Sequence, residues 1–291
     1  MCRAHSHNDY HQANPLSSAL HHGLNSIEVD VFPKHDGSLL VAHTVLDLDP
    51  RRTIETMYIQ PILGIFKKQR QPEDSTPSAA QPTGRSPVES RKSPSHRALT
   101  PQGGDPEGRL QQTRMPSNHR LPRRVDRLNL LVDFKGDADK SASLLQTALT
   151  PLRPYLSKVD KNGVFKPGRL TVVISGNRPR ADSLKAPNGE RFLFLDGRVK
   201  DVRANAQTDL VPLISVPWRQ VRFARAVGRG DQFMRRLTER AHSQGKLVRI
   251  WGAPNKETAW GKMLRSNIDL LSIDDHPKFA QFVAEENKAK S

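Results

Sequence analysis

The chain has 291 residues, 22 prolines, one cysteine and a formal net charge of +16. A single cysteine, Cys2, excludes an intramolecular disulfide and a multi-cysteine zinc site. No stretch approaches the roughly 20 apolar residues of a membrane span, and residues 1–15 lack the apolar core of a signal peptide.

Length alone predicts about two domains at roughly 150 residues each, although a single α/β barrel also reaches roughly 250. Hydrophobic residues make up only 35% of the chain, against roughly 45–50% in typical domains. The deficit is local. Residues 71–124 hold nine of the 22 prolines and no Phe, Trp or Tyr. Such a segment cannot bury enough apolar surface to offset its ordering entropy, so it reads as a disordered Pro/Ser/Arg-rich insertion. It carries nine Lys/Arg against five Asp/Glu, so most of the positive charge lies elsewhere. Residues 1–70 and 125–288 are then expected to form one domain.

Within that domain, short apolar runs alternate with helical stretches. Strands are predicted at Cys2–His5, Ser26–Val31, Leu128–Asp133, Leu170–Ile174, Arg191–Leu195, Leu210–Ser215, Leu247–Trp251 and Ile268–Ile273. Most are rich in Val, Ile and Leu without alternation, as in parallel strands covered on both faces. Helices are predicted at Pro15–Gly23, Thr53–Lys68 (kinked at Pro61), Ala138–Tyr155, Trp218–Gln244, Lys256–Arg265 and Pro277–Lys288. His35-Asp36-Gly37 reads as a turn leading into a short run, Ser38–His43. Eight strands with helices between them predict a (β/α)8 TIM barrel. Strand one is barely long enough at the start of the chain, which is compatible with a truncated start.

A barrel gathers its chemistry at the C-terminal ends of its strands. Here those ends carry His5 within HSHND, Glu28 and Asp30 two residues apart on one strand face, His43, Asp133 and Lys135 in VDFK, Trp251 and Asp274. Three carboxylates are hard oxygen ligands that suit Mg²⁺, or Ca²⁺ in a looser site. Two histidines suit acid–base work near neutral pH, and Lys135 offers charge to a phosphate oxygen. Together they predict cleavage of a phosphodiester. Blander readings stand beside this one. Buried Glu28 and Asp30 could have arginine partners, Lys135 could pair with the carboxylates, and Trp251 could be barrel packing. His7 is a second candidate to His5, and Asp196 and Arg198 are expected to pair near the mouth.

The segments AHSHNDY, NSIEVDVF and DGSLLVAH resemble the glycerophosphodiester phosphodiesterase and phospholipase C-like superfamily of TIM barrels. The His5-Ser6-His7-Asn8 and Asp133-Phe134-Lys135 motifs are also similar to those of spider-venom-type sphingomyelinase D. Across residues 3–283 the pattern is most similar to the group called altered inheritance of mitochondria protein 6, through HSHNDY, IEVDVF, LLVAHT, ISGNRP, FLDGR and IWGAPN. The resemblance implies a catalytic pair in His5 and His43 and Mg²⁺ ligands in Glu28, Asp30 and Asp133. It implies substrate contacts at Lys135, Trp251 and Asn8. A phosphodiester small molecule or lipid headgroup is the expected partner, with peripheral contact to an anionic membrane. Nucleic acid is not expected, because the insertion lacks aromatics for base stacking. No oligomer and no compartment are indicated. The arginine of the superfamily's H-R-G motif is absent, and His5-Ser6-His7 stands in its place. That departure supports an alternative: a catalytically silent barrel that binds phosphate ligands or acts as a scaffold.

Overall fold

The computed structural model describes residues 4–69, 125–226 and 228–288. Cys2 and the whole predicted insertion lie outside the described residues.

Eight parallel strands close into a barrel: β1 Ala4–Ser6, β2 Ser26–Pro33, β3 Leu128–Phe134, β4 Leu170–Gly176, β5 Leu193–Gly197, β6 Leu213–Pro217, β7 Leu247–Trp251 and β8 Leu270–Ile273. Each strand pairs with the next. Closure comes from β1, which lies between β8 and β2 through Ala4↔Leu271 and Ser6↔Ile27. The predicted fold class is therefore observed. A short strand, Leu39–Val41, folds back antiparallel on the end of β2. The turn between them holds Gly37 at a φ of 89°, with the Asp36 carboxylate accepting from the Ser38 amide. Only glycine takes that backbone region without steric cost.

Helices α1 Ser17–His21, α2 Gln60–Lys68, α3 Ala138–Ala148, α4 Val199–Arg203, α5 Trp218–Ala226, α6 Gly230–His242, α7 Glu257–Arg265 and α8 His276–Lys288 surround the strands. Several expected boundaries move for local reasons. The expected helix 53–68 opens as a wide π-turn, Glu55–Ile59, which places Pro61 in the first turn of α2, where its missing N–H breaks no bond. Ala138–Tyr155 ends at Ala148, and Pro151 and Pro154 confine the remainder to a 3-10 turn. Trp218–Gln244 is two helices, because Gly228 turns back at a φ of 73°. β5 and β6 each begin later than predicted. Arg191 bridges Val159 instead, and Pro212, without an N–H, precedes β6.

The barrel interior is filled in two levels. Leu131, Val173, Phe194, Leu213 and Leu270 form a separate apolar cluster. Two residues further along the same strands stand Asp133, Ser175, Asp196, Ser215 and Ser272. Strand alternation puts each on the same inward face as its apolar neighbour. The interior thus changes from apolar to polar toward the C-terminal ends.

Candidate functional site at the C-terminal end of the barrel

Strand β2 runs Ser26, Glu28, Asp30 along its inward face, all buried. Asp30 is in register with Asp133 of β3. One carboxylate oxygen from each of Glu28, Asp30 and Asp133 lies within 4.8 Å of the others. The three residues named as metal ligands therefore converge. The Oδ1 of Asp30 is buried and takes no hydrogen bond. Three carboxylates at this spacing, with a buried Asp30 oxygen left without a hydrogen bond, fit a hard divalent cation.

Gly176 makes room for this cluster. It ends β4 at a φ of 66°, and a Cβ there would meet Asp133 Oδ1 at 2.3 Å and the Phe134 carbonyl at 2.5 Å. Lys135 stands across the same two carboxylates, with its Nζ 3.0 Å from Asp30 and 2.9 Å from Asp133. Partial burial works against its charge, but Asp133 and Asp30 outweigh this and raise its pKa. The pKa of Asp133 is also raised, first by burial and then, against the pull of Lys135, by Asp30 and Glu28. Lys135 is thus an ion-pair partner of the carboxylates.

Glu28 has a different cation. Arg249, buried on β7, places Nη2 2.5 Å from Glu28 Oε2, Nε 3.1 Å from Ser272 Oγ and Nη1 3.4 Å from Ser215 Oγ. Burial alone would push the Glu28 carboxyl up, yet the Arg249 guanidinium and the neighbouring His5 hold it well below the usual carboxylate range. Sequence reasoning allowed arginine partners but did not identify Arg249. The signal was present: a lone charge inside the apolar run LVRIW, two residues before Trp251 and so on the same strand face.

The two histidines flank the carboxylates in unlike surroundings. His5 is fully buried, with Nδ1 2.7 Å from Ser26 Oγ. Its Nε2 lies 3.4 Å from Glu28 and takes no hydrogen bond. Burial, reinforced by Arg249, lowers its pKa to about 4. His43 is half exposed, with Nδ1 3.2 Å from Asp30 Oδ2 and 3.1 Å from Tyr10 Oη. Because the Tyr10 hydroxyl donates to Asp30 at 2.8 Å, the proton between His43 and this pair sits on Nδ1, which leaves Nε2 as its basic end.

His7, the second candidate, reaches the cluster less closely. Its Nε2 is 3.9 Å from Glu28, and its Nδ1 is 2.8 Å from Asp274. Burial opposes its charge, but Asp274 and Glu28 raise its pKa. Asn8 sits at the turn after β1 with a φ of 45° and no capping bond. Trp251 ends β7 and is 38% exposed, so it is rim rather than packed core. Asp196 and Arg198 pair at 3.0 Å, as expected.

A second polar cluster supports the β1 loop, and no sequence feature singled it out. Ser6 Oγ donates to Asp9 at 2.6 Å and lies 2.9 Å from His276 Nε2. His276 Nδ1 meets Ser18 Oγ at 3.0 Å, and Tyr58 donates to Asp9 at 3.0 Å. Burial lowers the pKa of His276 to about 4.

Residues 1–92 match the family described as AIM6-like phosphodiesterase domain. Altered inheritance of mitochondria protein 6 of Eremothecium gossypii is 26% identical, over 97% of this chain and 69% of that protein. A homolog from Arthroderma benhamiae is 28% identical, over 93% of this chain and 80% of that protein. Among solved structures, a glycerophosphodiester phosphodiesterase from Parabacteroides distasonis superposes with a TM-score of 0.49 at 10% identity, covering 98% of this chain and 97% of the other. An Oleispira antarctica phosphodiesterase in complex with sn-glycerol-3-phosphate gives 0.49 at 12% identity, covering 97% and 95%.

Proposed function

The chain is similar to the altered inheritance of mitochondria protein 6 group within the PLC-like phosphodiesterases, and on that premise we propose that it is a divalent-metal-dependent phosphoric diester hydrolase. The observation that carries this reading is the convergence of Glu28, Asp30 and Asp133 beside two histidines at one barrel end.

Glu28, Asp30 and Asp133 would hold the ion, for which Mg²⁺ is our choice and Ca²⁺ the alternative. Once bound, the ion neutralises phosphate charge. The protein's own groups do the rest. His5, kept neutral by its burial, presents an unpartnered Nε2 toward the carboxylate cluster and is placed to take a proton from the attacking hydroxyl. His43 presents Nε2 from the exposed side, with Asp30 and Tyr10 fixing its ring, and, carrying a second proton on that nitrogen, is placed to protonate the leaving oxygen. Lys135 contributes a positive charge to the bound phosphate. Asn8 and Trp251 at the rim would contact the rest of the substrate, for which we propose a glycerophosphodiester or a lysophospholipid-like diester.

A panel of glycerophosphodiesters and lysophospholipids with and without Mg²⁺ tests the proposal. Turnover is expected to fall ~10²–10⁴-fold in His5→Ala and in His43→Ala, the range of a lost acid–base group. Activity that survives both substitutions overturns this mechanism. Phosphorus NMR of the product separates attack by water from formation of a cyclic phosphate.

One observation favours a silent barrel. Arg249 and the shared Lys135 already pair with the three carboxylates and offset two of their three charges. If added Mg²⁺ leaves thermal stability unchanged and no substrate turns over, that second reading holds.

A further inference from the structure

Helix α5 begins at Trp218, directly after β6 ends at Pro217, and Pro217 is in register with Trp251 at the end of β7. The helix therefore starts at the barrel end that carries the carboxylates. Its side chains are unusual for a barrel helix. Trp218 and Val221 face inward and are buried. Arg219, Arg222, Phe223 and Ala226 fall at spacings of three and four, so they share one face, and all four are exposed. Phe223 is 77% exposed.

Residues 218–242, spanning α5 and α6, hold seven arginines against two carboxylates. None of these arginines makes an ion pair with another described residue, although the arginines elsewhere on the barrel such as Arg178, Arg191 and Arg249 do. Two grooves border the helix. One, of about 420 Å³, runs from Trp218, Arg222 and Arg225 to Lys256 and Lys262. The other, of about 380 Å³, has Val202, Phe223, Phe233 and Leu237 along it with Arg229 and Arg236 at its sides.

We propose that the outward face of α5 is an interfacial anchor, which sets the open end of the barrel against an anionic phospholipid surface. Charge decides the occupant. Unpaired arginines in this number are attracted to a negative leaflet, and an exposed phenylalanine among them is the residue that such a surface buries. Duplex nucleic acid would use the arginines and leave Phe223 in water, whereas a single strand would stack a base on it, the case that oligonucleotide retention distinguishes. The proposal is independent of turnover, since binding is read without a substrate.

The full chain is mixed with vesicles of phosphatidylcholine alone and of phosphatidylcholine with phosphatidylserine, and cosedimentation is measured. Binding is expected only to the anionic vesicles, and it should weaken as salt is raised. Each of Arg219→Gln and Arg222→Gln should weaken binding ~5-fold, from roughly 1 kcal/mol per cationic side chain near such a surface. Phe223→Ser should weaken it further. Phe223→Trp should keep it, with emission quenched by lipids brominated in the acyl chain. Binding that is equal on both vesicle types, or that survives Arg219→Gln, Arg222→Gln and Phe223→Ser combined in one chain, overturns the assignment. So does retention of a single-stranded oligonucleotide, lost in the same variants, by a protein that ignores anionic vesicles.

Discussion

Charge is handled in two opposite ways at one end of this barrel. Inside, each carboxylate of the site has a cation beside it: Glu28 has Arg249, and Asp30 and Asp133 share Lys135. Outside, on α5, the arginines have no carboxylate partner among the described residues. The difference follows from solvent. A charge taken into the interior loses its hydration and is tolerated only with a partner and hydrogen bonds. A charge left in water needs neither, so an unpaired set is free to meet something else.

The interior half of that comparison is tested most severely at Arg249. Replacing it by methionine keeps most of the volume but strands Glu28 without its cation. Breaking a buried pair from one side costs about 3–5 kcal/mol, so a large fall in denaturation midpoint is expected. Arg249→Met combined with Glu28→Gln should recover much of the loss, because no uncompensated charge remains. If the double variant is no better than the single one, the pair is not the source of the effect.

Gly176 gives the next effect. An alanine there must adopt a φ of 66° and push against both Asp133 and the Phe134 carbonyl. Strain of this kind costs about 1–3 kcal/mol. Because the clash includes the Asp133 carboxylate itself, Gly176→Ala should also reduce the stabilisation that Mg²⁺ gives in thermal denaturation, which distinguishes it from a merely strained turn.

Acid probes the same interior more gently. His5 and His276 have pKa values lowered to about 4 from 6.5, so the folded state binds fewer protons than the unfolded one between those values. Their contribution is complete above pH 6.5 and is lost as pH falls toward 4. Glu28 acts below that window. Its folded pKa is depressed, so its contribution is present above its unfolded value of 4.5 and is lost as pH falls further. His276→Gln should flatten the upper part of this profile without touching the lower. A profile that keeps its full slope there would show that His276 does not titrate on unfolding.

How much of this was legible in the sequence differs between the same two regions. The barrel and its carboxylates were readable because strand spacing alone places Glu28 with Asp30 and Asp133 with Lys135 on common faces. His5 and His43 were readable from motif order. Arg249 was not identified, because its partner is 221 residues away and only closure of the barrel brings them together. The cluster of Ser6, Asp9, Ser18, Tyr58 and His276 was missed for the same reason, since β1 and α8 meet only when the ring closes. On α5 the arginines were visible as residues but not as a face. The predicted helix ran on to Gln244, and a single long helix would have rotated α6 into the same register.

The exterior half predicts the smallest change in stability and the clearest dissociation of properties. Arg222 and Phe223 are exposed, and neither has a partner whose loss would leave a buried group unsatisfied. Substitutions of this kind stay within about 0.5 kcal/mol. Arg222→Gln should therefore unfold at the same denaturant concentration as the parent chain while its binding to anionic vesicles drops. An Arg222→Gln protein that loses stability as Arg249→Met does would mean that α5 is charged for the sake of the fold. The contrast between the two halves would then collapse, because the arginine would be answering an interior carboxylate rather than waiting for an external one.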